Sequence, residues 1–244
     1  RARRLAEETV NRPAIQFQVW LLADETARRA GKPGERVYAL ERAFTLARKQ
    51  RRPEQLLSAT ADDLWQAYLK FAEQLGNESR LLVGDDEAWL KKAGATRRDD
   101  AMEARALYAL LLKRSESDET RTQAAQRLAD SLIEDGRSEV LRTLFAEGTA
   151  FADVNSIPAA VRHRLAALAL EEYDIRLAAK LLKGLKQAPE GEQPEGWILR
   201  RARIAVYAGD YPTAVALMQD MLGEARKLDD DLVERLLQVL FDLQ

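Results

Sequence analysis

The sequence predicts an all-α protein, a right-handed superhelical solenoid of antiparallel helix pairs. Apolar residues recur at helical spacing along almost the whole chain, and no stretch alternates with the two-residue period of a half-buried strand. Near the C-terminus, Ala166 and Asp174 return as Ala202 and Asp210, at a step of 36 residues. Small side chains at fixed offsets let neighbouring helices approach closely, which is what stacked helix pairs require.

The hydrophobic periodicity divides almost all of the chain into helices joined by short connections. Most connections are two to eight residues long, so consecutive helices are expected to lie antiparallel. The predicted helices are 2–10, 14–30, 35–50, 61–76, 86–93, 98–114, 118–135, 137–147, 158–172, 174–187, 195–208, 211–227 and 229–243.

Start and stop signals justify several of these boundaries. Thr60 followed by Asp63 resembles a capping arrangement and predicts a helix that starts at residue 61. Gly76-Asn77 predicts a stop, because glycine readily adopts the left-handed conformation that ends many helices. Pro158 suits the first turn of a helix, where its missing N–H costs no hydrogen bond.

The spacing of the breaks predicts three regions. The 60 residues from Gly76 to Gly136 are not a multiple of 36, and Gly84-Asp85-Asp86 interrupts the helical pattern between them. The predicted regions are N-terminal helical repeats over 1–76, an irregular insertion or degenerate repeat over 77–98, and C-terminal repeats over 99–244.

Both ends of the chain lead us to expect a piece of a longer protein. The first residue is Arg1 rather than methionine, and the last predicted helix, 229–243, carries an apolar stripe with no following partner helix. No apolar run approaches the roughly 18 residues of a membrane span, so no span is expected in this piece.

Composition excludes several kinds of site. The chain has no cysteine and a single histidine, His163, which removes disulfides, thiolate ligands and any metal site with two imidazoles. It contains no glycine-rich phosphate loop and no nucleophile elbow, so neither a cofactor nor a metal is expected. Since His163 lies between two arginines, we interpret it as a solvent-facing or groove-lining residue rather than a catalytic base.

The charge is nearly balanced but unevenly distributed. A net charge of −2 gives no global argument for nucleic-acid binding. Residues 1–52 nevertheless hold 13 lysines and arginines against 6 acidic residues. An uneven solvated surface is the favoured interpretation, and a phosphate- or membrane-facing patch is the alternative.

One acidic motif offers an enzymatic alternative. Asp99, Asp100 and Glu103 have the spacing of the motif that holds magnesium–diphosphate in prenyl-transferring helical enzymes. The second cluster that such a site needs has one candidate, residues 229–231 with Glu234. Both clusters fall in the first turns of predicted helices, where carboxylates favour the positive end of the helix dipole, and we prefer that structural role.

The repeated units resemble tetratricopeptide (TPR) repeats. That pattern places small residues in the middle of each helix and a Gly-Asp-Tyr turn before the second helix, as in Gly209-Asp210-Tyr211. Arg201 departs from it, because the family expects a large apolar residue there. The other matching residues are Leu165, Ala166, Ala169, Asp174, Ala178, Leu182, Pro189, Ala202, Ala205, Ala214 and Met218, with weaker matches at Leu128, Ala129, Leu132, Gly136, Leu141, Phe145, Trp65, Tyr68, Leu69, Ala72 and Gly76. Only a first helix is matched at Trp20, Ala23, Ala27 and Gly31.

The resemblance implies a non-enzymatic scaffold that docks a partner protein. In TPR-like units the first helix of each pair lines the concave face, and polar side chains on one wall suit a binding surface. The partner-binding residues predicted in this way are Gln126, Asp130, His163, Arg203 and Tyr207.

A narrower resemblance concerns periplasmic TPR segments of bacterial exopolysaccharide exporters. It implies a periplasmic scaffold that recruits a polysaccharide-modifying enzyme, with a cytoplasmic location as the alternative. Two other classes stay open from the sequence: a helical-bundle enzyme with a magnesium-binding acidic cluster, and a structural module that self-associates through its open ends.

Overall fold

The computed structural model describes residues 4, 12–47, 54–82, 84–96, 100–146, 150–188 and 192–224. This part of the chain is helical and contains no β-strand, which confirms the all-α prediction. Apart from Arg4, the predicted helices 2–10 and 229–243 lie outside the described residues.

The described helices follow the predicted order closely. They are α1 (Pro13–Arg29), α2 (Pro33–Ala47), α3 (Glu54–Glu78), α4 (Asp86–Thr96), α5 (Ala101–Arg114), α6 (Asp118–Glu134), α7 (Ser138–Leu144), α8 (Ala159–Glu171), α9 (Ile175–Leu182), α10 (Pro194–Tyr207) and α11 (Tyr211–Glu224), with a short 3₁₀ turn at Val154–Ser156 before α8.

Both predicted boundaries of α3 are wrong, for different reasons. The helix begins at Glu54, so Thr60 lies inside it rather than at a cap. It also runs through Gly76, where a Cβ atom would lie only 2.1 Å from the indole of Trp89. This glycine therefore provides close approach between α3 and α4, and the left-handed residue after the helix is Arg80, with φ 54°.

The chain forms two compact units, Arg1–Pro158 (unit 1) and Ala159–Gln244 (unit 2). In unit 1, α1 packs on α2, α2 on α3, and α3 on α5, while α4 packs against α5. Helix α6 packs on α5 and α7. The helix α7 also packs on α2 and α3, so this unit contains contacts between helices that are distant in the sequence.

The tryptophans lie in the core. Trp65 donates from Nε1 to the carbonyl of Leu144 at 3.0 Å and thereby ties α3 to the end of α7. Its ring also meets Phe145 and Phe151 edge-on, with centroids 6.1 and 6.3 Å away. The exposed fractions are 5% for Trp20, 3% for Trp65, 6% for Trp89 and 4% for Trp197.

In the described part of unit 2, helices pack on their sequence neighbours: α8 on α9, α9 on α10 and α10 on α11. The buried side chains include the small residues that carry the 36-residue repeat, Ala166, Ala178, Ala202 and Ala214, each with 0% exposure. Arg162 ties the first pair together, because its Nε donates to the carbonyl of Leu181 at 2.7 Å near the end of α9.

The repeat also fixes the turn between the helices of each pair. Tyr173 and Gly209 occupy equivalent positions with φ of 58° and 76°. The next residues, Asp174 and Asp210, donate from their backbone N–H to the carbonyls five residues back, at 2.9 and 2.8 Å. Each aspartate then caps the second helix, accepting from the backbone N–H three residues ahead at 3.1 and 3.3 Å.

Candidate functional site

The surface of unit 2 contains a shallow groove formed by the first helices of its two pairs. A cavity of about 320 Å³ lies between the end of α8 and the middle of α10. Ala167 and Leu170 supply its apolar part, whereas Glu171 and Arg200 supply charge. We call this surface the α8–α10 groove; it is lined by Ala167, Leu170, Glu171, Tyr173, Arg200 and Arg203.

Arg203 and Tyr207 form one composite surface beside the groove. They lie one helical turn apart on α10, and the Arg203 guanidinium carbon is 5.4 Å from the centroid of the Tyr207 ring. The same guanidinium donates to the Tyr207 hydroxyl at 3.3 and 3.4 Å from Nη2 and Nε. The two predicted site residues are therefore brought together, with Tyr207 still 38% exposed.

Tyr173 adds an aromatic side chain that sequence reasoning did not select. It lies in the turn after α8, is 75% exposed and lines the groove together with Arg203. Its left-handed backbone is unusual for a bulky residue, and Gly209 stands at the equivalent turn of the next pair. A tyrosine at the position where the next pair has a glycine is the sequence signal that would have identified Tyr173.

His163 lies inside unit 2 rather than on an exposed wall, which corrects the interpretation of a solvent-facing or groove-lining residue. Its side chain is 4% exposed, and its ring meets Trp197 edge-on with centroids 4.9 Å apart. Burial, with the positive charges of Arg200, Arg162 and Arg164, lowers the pKa of His163 to about 4. The imidazole is therefore neutral at pH 7 and packs as part of the core.

The other two predicted residues, Gln126 and Asp130, belong to unit 1. Both are half-buried on α6 and, at a spacing of four residues, lie on the same side of that helix. Their assignment as partner-binding residues stays a prediction.

Unit 1 contains a buried ionic cluster that sequence reasoning missed. Glu41, with 1% exposure, accepts two hydrogen bonds from Arg105, from Nε at 2.9 Å and from Nη2 at 2.8 Å. The hydroxyl of Tyr68 donates to the same carboxylate at 2.6 Å, and Arg137 approaches it to 2.9 Å. Arg105 also pairs with Asp135 at 2.5 Å.

The two carboxylates of this cluster balance its two guanidinium groups in charge, and the interactions within it shift the pKa values of Tyr68 and Arg105. Burial and the carboxylate of Glu41 raise the pKa of Tyr68 well above its usual range. Burial acts to lower the pKa of Arg105, but the interactions with Glu41, Tyr68 and Asp135 together outweigh burial, and the pKa rises. The cluster joins α2, α3, α5 and the end of α6, which is a structural function. Its signal in the sequence is a lone arginine within the apolar segment Ala104–Leu112 of α5, every residue of which is buried.

A second cavity, at α3, α4 and α5, has a volume of about 540 Å³. Trp89 and Leu110 line it on the apolar side. Its charged groups include the pair of Arg114 with Glu73, and Ser115 donates to Asp86. These polar groups therefore already satisfy one another.

The acidic motif before α5 has a structural role in the described residues. The carboxylate of Asp100 accepts from the backbone N–H groups of Met102 and Glu103 at 3.0 and 3.2 Å, which makes it the N-cap of α5. This agrees with the first-turn position predicted for it. Asp99 and the 229–231 cluster lie outside the described residues, within which no group of acidic residues and histidine is arranged to hold a metal.

Comparison with known proteins adds no identification. No protein-family model, curated protein or solved structure matches this chain. Among the described helices, none has the length and apolar character needed to cross a membrane.

Proposed function

We propose that this chain is a non-enzymatic, TPR-like scaffold that binds a partner protein along the α8–α10 groove. The observation that carries the proposal is the convergence of Tyr173, Arg203 and Tyr207 on the surface of the first helices of two successive pairs. Exposed tyrosine and arginine are typical of interface hot spots, because each buries a large area while it keeps a directional polar contact.

The recurrence of one turn supports the TPR-like part of the proposal. The left-handed residue followed by a hydrogen bond to the carbonyl five residues back occurs at Gly31, Gly136, Tyr173 and Gly209, where the next helix begins two residues later, and also at Arg80 after α3. Four helix pairs in the described residues thus share one connection. Right-handed superhelical stacking of these pairs is part of the proposal, and small-angle scattering of an elongated particle would support it.

The partner we propose is an extended protein segment that carries acidic and apolar side chains. The groove offers apolar contact at Ala167 and Leu170, and arginine side chains at Arg200 and Arg203. Arginine binds carboxylates through paired hydrogen bonds. From the exporter resemblance, a polysaccharide-modifying enzyme in the periplasm is the proposed source of such a segment, with a cytoplasmic partner as the alternative.

The experiment compares two double variants of the full chain. Arg203→Glu with Tyr207→Ala alters the proposed site, whereas Arg176→Glu with Tyr211→Ala makes the same changes on the second helices of the pairs. The partner is captured with the unmodified chain, purified, and titrated calorimetrically against all three proteins. We expect more than tenfold loss of affinity for the first variant only.

Circular dichroism establishes first that both variants retain their helicity. Equal affinity of the two variants for the partner would overturn the proposed site. An unmodified chain whose mass by light scattering rises with concentration would favour self-association instead.

A further inference from the structure

We infer that unit 2 contains an acid-sensitive switch, in which protonation of His163 separates the helix pair α8–α9 from the pair α10–α11 while each pair stays intact. The ring of His163, on α8, meets the ring of Trp197, on α10, edge-on with centroids 4.9 Å apart. Both side chains are buried, with 4% exposure each. His163 is the only histidine of the chain, and in water histidine changes its charge between pH 5 and 8.

The helices of unit 2 are joined more strongly within each pair than between the pairs. In the first pair, Arg162 donates from Nε to the carbonyl of Leu181 at 2.7 Å and from Nη2 to the carbonyl of Lys183 at 2.5 Å. In the second pair, α10 and α11 share a buried apolar cluster that includes Leu199 and Met218. The packing of α9 on α10 is less extensive than the packing within either pair. A change that disfavours the contact between the pairs therefore separates them before it unfolds either one.

The surroundings of the imidazole oppose a positive charge. Its Nδ1 is buried and has no hydrogen-bond partner among the described residues. Burial, and then the charges of Arg200 on α10 and of Arg162 and Arg164 on α8, lower the pKa of the ring. A hydrogen bond with the backbone of Gln187, after α9, acts in the opposite direction without outweighing them. Protonation is thus disfavoured while the pairs are closed and becomes favourable once the ring reaches water.

The carboxylates of the packed helices do not pair with His163 in the described part of the chain. Glu192, just before α10, is paired with Arg200 at 2.5 Å. Glu171 lies about 12 Å further along the axis of α8, and Glu195 lies in the first turn of α10. The other charged side chains within these helices are cationic, namely Arg176 and Lys180 on α9 and Arg201 and Arg203 on α10. A protonated imidazole therefore adds a cation to a region that already contains several.

The switch lies beside the α8–α10 groove. His163 is one turn before Ala167 on α8, and Trp197 is one turn before Arg200 on α10. Separation of the pairs moves the two walls of the groove apart, so acid is expected to release a ligand held there. This consequence rests on the proposed function, whereas the switch itself does not.

The experiment measures solvent exchange of the indole N–H protons of the full chain by NMR between pH 7 and pH 4. Three of the four tryptophans belong to unit 1 and only Trp197 belongs to unit 2, so one sample reports on each unit separately. The Trp197 signal is assigned with Trp197→Phe. The pKa of His163 is about 4 in the closed arrangement and 6.5 in water, so after correction for intrinsic exchange the opening constant at Trp197 should rise on the order of 100-fold. The signals of unit 1 should rise far less.

Two variants remove the titrating group and keep a side chain that fills the site. His163→Gln and His163→Phe should each reduce the rise at Trp197 to less than about threefold. Because the second variant keeps an aromatic ring against Trp197, a folding defect in one variant leaves the test with the other. An equal rise in the unmodified chain and both variants, or a concerted rise of all four indole signals, would overturn the switch.

Distances between two spin labels show whether the pairs separate intact. The chain has no cysteine, so labels attach only where cysteines are introduced. Arg176→Cys with Ala216→Cys spans the two pairs, and Ala159→Cys with Arg176→Cys lies within the first pair, all at exposed positions. At pH 4 the first distance should lengthen and the second should stay the same. Equal lengthening of both would contradict the separation of intact pairs.

The effect on the groove is measured with the captured partner at pH 7 and pH 5. The unmodified chain should lose more affinity than His163→Gln, since the carboxylates of the partner titrate equally in both titrations. Equal losses, together with acid-dependent opening at Trp197, would overturn regulation of the groove and leave the switch in place. Failure of the proposed site is recognised separately, from unchanged affinity of the Arg203→Glu and Tyr207→Ala double variant at pH 7.

Discussion

Different interactions stabilise the helix packing in the two units. In unit 1, a buried ionic cluster joins helices that are far apart in the sequence, since Glu41 on α2 meets Arg105 on α5. In unit 2, alanines and a repeated turn join helices that are adjacent in the sequence. A buried ion pair depends on every partner, because an unpaired interior charge is costly, whereas alanine packing depends on volume. The comparison shows that similar helix pairs can be destabilised by different kinds of substitution: a change of charge in unit 1 and a change of volume in unit 2.

The largest effect is expected from Arg105→Leu in unit 1. It leaves the buried Glu41 with the Tyr68 hydroxyl and with Arg137 as its remaining cationic partner, and breaking such a pair typically costs about 3–5 kcal/mol. Hydrogen exchange should accelerate in α2 and α5 while α8 and α10 keep their protection. The matched control is Arg121→Leu, which removes an exposed pair with Asp118 and should cost less than about 1 kcal/mol.

The double variant Glu41→Leu with Arg105→Leu sharpens this test. If the two side chains act as a pair, their combined cost falls well below the sum of the single costs. If the losses of unfolding free energy in the two single variants simply add in the double variant, the ion pair does not stabilise unit 1.

The second effect concerns the protonation of His163 in unit 2. Its folded pKa of about 4 lies below the ordinary value of 6.5, so the stability it contributes is present above pH 6.5 and is lost as the pH falls toward 4. The loss is on the order of 3 kcal/mol across that window. His163→Gln should flatten the dependence of unfolding free energy on pH between 6.5 and 4, and because this is the only histidine, the difference between the two proteins isolates it. Parallel curves would contradict burial of the neutral ring.

The third effect tests the packing of small residues in unit 2. Ala214→Leu inserts volume where the side chain has no exposure, and overpacking costs about 1–3 kcal/mol. Ala216→Leu, an exposed position on the same helix, is the matched control. An unchanged urea midpoint for Ala214→Leu would contradict the packing of α11 on α10.

The helices and the turn of unit 2 were predictable from sequence because their signals are local. Alanine spacing and the Gly-Asp turn depend on residues within one pair, so the pattern at Ala202 and Asp210 specifies the connection directly. The cluster around Glu41 was not predictable, since its partners lie 64 and 96 residues away along the chain. Thr60 shows that a local signal can also mislead, because it lies inside a helix that begins at Glu54, and packing of the buried residues from Ala61 onward stabilises that helix.

Part of the candidate site was predictable for the same reason. Arg203 and Tyr207 meet because a helix places residues four apart on one side. The burial of His163 was not predictable from the sequence. Its flanking arginines are typical of a solvated segment, whereas its ring packs on Trp197, which lies in another helix.

The smallest expected effect compares the two copies of the turn. Tyr173 holds a left-handed backbone at a position where Gly209 serves in the next pair, and a bulky residue in that conformation costs about 1–2 kcal/mol relative to glycine. Tyr173→Gly should therefore stabilise unit 2 by about 0.5–1 kcal/mol, after allowance for the greater freedom of glycine in the unfolded chain. Gly209→Ala should destabilise it by about 1 kcal/mol through backbone strain, because a Cβ there meets no neighbouring atom. Urea midpoints measure both changes, and equal stability of Tyr173→Gly and the unmodified chain would show that the turn stores no strain.

Strain retained on an exposed tyrosine in the α8–α10 groove is expected where the side chain binds a ligand. The same Tyr173→Gly variant should therefore bind the captured partner more weakly although it is more stable, and a gain in stability without a loss of affinity would remove Tyr173 from the site.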